Sequence, residues 1–231
     1  MDTIEAIILG IVQGLTEFLP VSSSGHLQIA KALMGVEIEQ NLLFDVTLHA
    51  ATVLSTIVVL WSEVARLLRG LFSRRVNEEQ AYVLKLLLSM IPIGIVGFTL
   101  KDRLDALLES PAILLVVGCM LLVTAALLAF AYYAKPRQKA QLSYRDAFLI
   151  GVAQAVAALP GLSRSGSTIA TGLLLGNRKQ TVAQFSFLMV LAPILGETFL
   201  ELMKGNLGAQ AIGSAPLAAG FVAAFVVGCL A

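Results

Sequence analysis

Long apolar runs alternate with short charged turns along this chain. Leu43–Trp61, Tyr82–Leu100, Ala112–Tyr133 and Val182–Met203 are each apolar over enough residues to cross about 30 Å of hydrocarbon as a helix, and Pro216–Ala231 reads as a partial fifth span. A helix satisfies its own backbone hydrogen bonds, as a lipid-facing segment must. Two further stretches, Ile4–Leu19 and Ala147–Leu159, are shorter, and each runs into a proline followed by Ser and Gly. They predict broken helices. The fold class is therefore all-α, a polytopic integral membrane protein.

The broken stretches are copies of each other. Glu5 to Gln13 (EAIILGIVQ) matches Asp146 to Gln154 (DAFLIGVAQ) at one fixed offset, and after a one-residue slip Leu19-Pro20 matches Leu159-Pro160. Ser22, Ser24 and Gly25 then return to register with Ser163, Ser165 and Gly166. A single membrane domain over 1–231 follows, with one repeat in 1–100 and a second in 111–231; the second reads as truncated, since the chain stops inside an apolar run.

Basic residues fix an expected topology, because cytoplasmic loops carry Lys and Arg in excess. Arg66, Arg69, Arg74 and Arg75 crowd one loop, and Lys135, Arg137, Lys139 and Arg145 the next; the turn between two spans holds Asp102, Asp105 and Glu109 and falls outside. Ile4–Leu33 then dips in from outside, returning near Glu37 and Glu39, while Ala147–Gly176 dips in from the cytoplasm, returning near Arg178 and Lys179. The repeats are thus expected to be inverted, each with a re-entrant helical hairpin. Two such hairpins meet near the midplane and turn half-helix N-termini toward an anion.

Composition sharpens this picture in few places. Hydrophobic types make up 58% of the chain and charged types 13%, which excludes an ordinary soluble domain. A net charge of +1 supplies no concentrated basic face and excludes a nucleic-acid partner. Cys119 and Cys229 stand alone in apolar runs, and Asp2 and Glu5 replace the basic start of a cleavable signal.

The chemistry concentrates in the breaks. Gln13 to His26 places Glu17, Ser22, Ser23, Ser24, Gly25 and His26 within a short stretch, and Pro160 to Thr168 places Ser163, Arg164, Ser165, Gly166 and Thr168. Such groups are costly in a bilayer unless they face a polar cavity. Small hydroxylated residues with glycine let N–H groups close around a phosphate, and Arg164 adds a planar charged fork. By default, serine and glycine beside proline are turn formers, a lone histidine such as His49 is an interhelical hydrogen-bonder, and the symmetric Gln13 and Gln154 bridge broken backbone. Glu197 and Glu201 share one helical face.

These two segments resemble the paired signatures of the undecaprenyl-diphosphate phosphatase family of the bacitracin-resistance type: Glu/Gln-x-x-x-Glu followed by Ser-x-Gly-His, and Pro-Gly-x-Ser-Arg-Ser-x-x-Thr. The first falls on Gln13, Glu17 and Ser22 to His26, the second on Pro160 to Thr168. The resemblance covers essentially the whole chain. It implies a hydrolase that removes the terminal phosphate of undecaprenyl diphosphate, confers bacitracin resistance, and opens toward the outer face of the bacterial cytoplasmic membrane. It also implies a divalent cation, Mg2+ or Ca2+, at Glu17 and Gln13, although Gln13 stands where many members have Glu, and the family's last membrane segment is absent.

Catalytic roles are expected for Glu17, Ser23, His26 and Arg164, with Ser23 and His26 both open as the nucleophile. Ser22, Ser24, Gly25, Ser163, Ser165, Gly166 and Thr168 are expected around the diphosphate. The partners implied are the polyprenyl diphosphate and membrane lipid; a homodimer is left open. The competing reading is a secondary transporter or lipid flippase, which shares inverted repeats and broken helices but needs no nucleophile.

Overall fold

Two helices open with the same device. Asp2 accepts from the Glu5 amide while the Glu5 side chain returns to the Asp2 amide, starting α1 (Thr3–Phe18); Ser143 and Asp146 repeat this capping box at the start of α8 (Tyr144–Val156). α1 stops because Leu19 precedes Pro20 and is held extended (φ −69°, ψ 138°). The chain restarts at once as α2 (Ser23–Met34), capped by Ser22 and closed by Gly35 in the left-handed region. α8 is followed by a corresponding break, after which Ser163 caps α9 (Arg164–Leu174).

The computed structural model describes residues 1–36, 42–73, 77–108, 110–133, 139–203 and 213–231. Glu37, Glu39, Arg74, Arg75, Glu109, Lys135 and Arg137, on which the topology argument partly rests, lie outside them, as do the side chains of Asp105, Glu197 and Glu201. The remaining helices are α3 (Leu42–Val59), α4 (Trp61–Leu71), α5 (Glu78–Thr99), α6 (Lys101–Leu108), α7 (Ile113–Tyr133), α10 (Lys179–Met189), α11 (Leu191–Met203) and α12 (Ser214–Leu230). Among the described residues there is no strand, only an isolated bridge between Lys139 and Asn177.

By length and composition α5 and α7 can each cross a membrane, and α3 with α4 makes a third candidate if the pair, bent by 79°, is one span. The expected span Leu43–Trp61 accordingly ends at Val59, and the chain turns into the amphipathic α4. Val182–Met203 is not one helix either. It divides at Val190 into α10 and α11, just ahead of Pro193, which has no N–H to give to the Met189 carbonyl. The apolar surface of α5, α7 and α12, with Phe98, Leu115, Leu122, Phe130 and Leu230 largely exposed, suits a lipid solvent rather than water.

The hairpins pack crosswise onto long helices of the opposite half. α1 lies along α12 and α8 along α5. Glycine makes both approaches possible: a Cβ on Gly10 would stand 2.4 Å from the Gly220 carbonyl oxygen, and one on Gly151 2.3 Å from that of Ser89. Leu9, Leu27, Phe44, Leu48 and Ala224 form the core around α1, while Leu86, Ile150, Phe185 and Met189 form the core around α8.

Candidate active site

Each hairpin glycine packs on the other hairpin's break. A Cβ on Gly25 would meet the Gly161 backbone at 3.2 Å, and one on Gly166 would meet the Pro20 carbonyl at 3.0 Å. Ser165 Oγ donates across the same seam to the Leu19 carbonyl at 3.5 Å. The N-termini of α2 and α9 therefore come together, although they are far apart in sequence. The first break carries backbone strain: Ser22, at φ 72°, is the one positive-φ residue other than glycine among the described residues. In the second break that role falls to Gly161, at φ 88°.

Glu17 sits where the two halves meet. Its Oε2 accepts from Ser23 Oγ at 2.6 Å and from Gln13 Nε2 at 3.1 Å, and its Oε1 accepts from Arg164 Nη2 at 3.1 Å. Gln13 Nε2 also points to Thr52 Oγ1 at 3.3 Å. A cavity opens beside this cluster, lined by Glu17, Thr52, Thr56, Arg164, Ser165 and Ser186, with Phe18, Phe187, Val190 and Ile194 forming an apolar wall. A carboxylate, a guanidinium and hydroxyls thus face a space with one greasy side, the shape a lipid with a charged head requires.

Ser23 has a single hydroxyl proton, and it goes to Glu17. The Ser–His pair is therefore not made; the carboxylate is the base within reach of Ser23. His26 stands on the next turn of α2 with Nδ1 2.8 Å from the Ser22 carbonyl. A carbonyl can only accept, so in the neutral ring the proton sits on Nδ1 and Nε2 keeps the lone pair.

Most of the residues expected around the diphosphate act through the backbone. Ser22 Oγ accepts from the Gly25 amide and Ser163 Oγ from the Gly166 amide, so both serines are buried caps; Ser24 and Ser165 lie 3.4 Å from those cap hydroxyls. Capping leaves the first-turn N–H groups of Ser23, Ser24, Arg164 and Ser165 without helical acceptors, pointing out of the two N-termini. Thr168 is different. It is fully buried, donates back to the Arg164 carbonyl at 2.9 Å and pairs with Ser186, so it joins α9 to α10 instead of reaching the cavity.

Pattern reading passed over Thr52 and Thr56, and the hydrogen bond of His49, expected between helices, goes to the Asp45 carbonyl of its own helix. Thr52 and Thr56 are buried hydroxyls inside an apolar span, one turn apart and on the cavity side, which is the signal that could have found them. His49 precedes Thr52 by one turn, and its carbonyl accepts from Thr52 Oγ1 at 3.0 Å.

Among the described residues no three His, Cys, Asp or Glu side chains gather at one point. The donor set still fits a hard cation that takes most of its ligands from phosphate and water. A carboxylate offers about four lone-pair positions, of which Ser23, Gln13 and Arg164 fill three. Gln13 Oε1 beside it is buried with no hydrogen-bond partner.

Comparison with known proteins gives a consistent result. The family model described as bacitracin resistance protein BacA matches residues 6–231. The chain is 62% identical over 234 residues to an undecaprenyl-diphosphatase of Parabacteroides distasonis and 61% identical over 234 residues to one of Bacteroides fragilis, in each case covering 100% of this chain and 87% of the relative. An undecaprenyl-diphosphatase of Methanosphaera stadtmanae is 35% identical over 250 residues, with the same coverage.

Proposed function

Because the chain belongs to the family of the bacitracin resistance protein BacA, we propose that it is an undecaprenyl-diphosphatase, a membrane hydrolase that removes the terminal phosphate of undecaprenyl diphosphate. The product, undecaprenyl phosphate, returns to cell-wall precursor synthesis, and the activity confers bacitracin resistance. The observation that carries the reading at residue level is the Ser23–Glu17–Arg164 chain, which joins a hydroxyl, a base and a phosphate fork across two hairpins.

The chemistry follows from that chain. Ser23 Oγ attacks the terminal phosphorus in line, its proton passes to Glu17, and the P–O bond to the lipid phosphate breaks, releasing undecaprenyl phosphate. Arg164 and the free N–H groups of Ser23, Ser24, Arg164 and Ser165 stabilise the negative charge on the equatorial oxygens. Water then attacks the phosphoserine as His26 Nε2 takes its proton, while Glu17 returns the first proton to Ser23 Oγ, and inorganic phosphate is released. His26, with Nε2 basic, accepts from that water and so orients it. A divalent cation, Mg2+ or Ca2+, supplies neutralisation of phosphate charge when bound; Glu17 and Gln13 would hold it.

In the membrane, α1–α2 and α8–α9 are re-entrant hairpins of two inverted repeats, dipping in from opposite faces of the bacterial cytoplasmic membrane. The matched capping boxes and crosswise packing support this reading, as do the exposed basic residues Arg69 near the end of α4, Lys139 ahead of α8 and Arg145 in its first turn. The site opens outward, and the isoprenoid tail stays in lipid alongside the apolar wall.

The deciding experiment is phosphate release from undecaprenyl diphosphate by purified protein in detergent, for wild type, Ser23→Ala and Arg164→Ala, with and without chelator. Release that needs cation and falls by about 10³-fold or more in both variants supports the hydrolase. Folded wild type that binds the lipid without releasing phosphate refutes it and favours a lipid carrier.

A further inference from the structure

Among the described residues, the most deeply buried charge outside the site is Lys31, on the last turn of α2. Its side chain is 0% exposed, and Nζ donates to both Asp45 oxygens at 2.7 Å. Asp45 lies in the first turn of α3, so the cation sits at a helix C-terminus and the anion at a helix N-terminus, and both dipoles favour the pair. Ion pairs of this depth contribute little net stability compared with apolar side chains of equal volume. What they fix is registry, because a buried charge has one partner and one acceptable geometry.

The pair ties together two helices that pack mainly on other elements, α2 against α1 and α7, and α3 against α12, α11 and α1. α2 carries Ser23 at its start and Lys31 near its end. α3 carries Asp45 at its start and, on the face that reaches the cavity, Thr52 and Thr56. Between them, His49 Nδ1 donates to the Asp45 carbonyl at 2.8 Å, and Thr52 Oγ1 donates to the His49 carbonyl at 3.0 Å. From Thr52 the contacts run through Gln13 Nε2 to Glu17. Leu27, Phe44 and Leu48 belong to the common core around α1, an apolar contact that does not fix how the end of α2 meets the start of α3.

We propose that Lys31 and Asp45 are positioning residues: their ion pair ties the last turn of α2 to the first turn of α3 and thereby places Ser23 against Glu17. The inference rests on the hydrolase reading above and adds residues to it. Neither side chain touches the cavity, so the pair acts on the rate of the chemical step and not on capture of the lipid. A displacement of the order of 1 Å between nucleophile and base lowers a rate by about 10²-fold.

The test compares Asp45→Asn, the apolar double variant Lys31→Met with Asp45→Leu, and the conservative Asp45→Glu, in detergent, with wild-type phosphate release as the reference. Asp45→Asn is expected to lower kcat by about 10²-fold with KM within about threefold of wild type, and to lower the melting temperature by stranding Lys31. The apolar double variant is expected to recover the melting temperature but not kcat, and Asp45→Glu to recover much of both. Recovery of kcat together with the melting temperature in the apolar double variant would overturn the proposal, since activity would then follow folding alone. So would an Asp45→Asn protein whose loss lies wholly in KM. A wild type without phosphatase activity would instead count against the hydrolase reading, leaving the melting-temperature comparison to stand by itself.

Discussion

Replacing Glu17 by Gln exchanges one carboxylate oxygen for an NH2 group and should nearly silence the protein. The carboxylate takes protons from three directions at once: Ser23 at 2.6 Å, Gln13 at 3.1 Å and Arg164 at 3.1 Å. An amide cannot. With its oxygen turned to Arg164, its NH2 confronts the hydroxyl and the Gln13 amide; turned the other way, it confronts the guanidinium. Unit charges 3.1 Å apart attract by about 5 kcal/mol at an effective dielectric of about 20, and screening of Arg164, whose side chain is 28% exposed, reduces the net effect to about 2–3 kcal/mol. Loss of the base removes a further factor of about 10²–10⁴ from the chemical step. Glu17→Gln should therefore lower kcat for phosphate release by about 10³-fold or more. The double variant with Arg164→Gln should lose far less than the product of the single effects, with a coupling of about 1–3 kcal/mol. A Glu17→Gln protein retaining kcat within about threefold of wild type would refute the assignment of Glu17 as base.

Thr168→Val should leave KM for the lipid within about threefold of wild type while lowering the melting temperature, because Thr168 serves the α9–α10 junction; a selective rise in KM would return it to the substrate site. Gly151→Leu should prevent stable assembly, since its new side chain enters the Ser89 backbone, whereas Gly94→Leu, where nothing lies within 4 Å of the added Cβ, should be tolerated; recovery of folded protein from detergent extracts reads out both. Chelation should abolish phosphate release, and Mg2+ or Ca2+ should restore it; full activity in excess chelator would exclude the cation. Cysteine substituted at Arg69 should react with an impermeant maleimide only in inside-out vesicles, and labelling in right-side-out vesicles would reverse the topology.

Much of the site was legible in the chain because its residues are locally unaffordable. A carboxylate, a histidine and serines after a broken apolar helix have few bland explanations in a membrane, so Glu17, Ser23, His26 and Arg164 stood out by pattern and by resemblance, and the structure brings Glu17, Ser23 and Arg164 into contact. Residues whose work depends on helix rotation could not. Thr52 and Thr56 look like ordinary span residues until α3 is placed with that face on the cavity. Thr168 looks like a phosphate ligand until its hydroxyl is seen folded back on the Arg164 carbonyl. Val182–Met203 reads as one span by hydropathy, which averages over Pro193 and so misses the division at Val190.

Duplication and divergence do different jobs here. What the two hairpins share is backbone: a capping box at the entry, a serine cap at the restart and a glycine seated on the other hairpin's break. What they do not share is chemistry. Ser23 corresponds to Arg164, His26 to Ser167, and Glu17 to an alanine, whether the one-residue slip aligns it with Ala157 or Ala158. Two identical breaks would offer two nucleophiles and two bases with no guanidinium, or two guanidinium groups repelling each other across the seam. Unequal breaks instead give one carboxylate that a hydroxyl from its own hairpin and an arginine from the other both need. The pairing is thus satisfied only when the halves are correctly assembled, and under the proposed mechanism folding and catalytic competence depend on the same contact between Arg164 and Glu17.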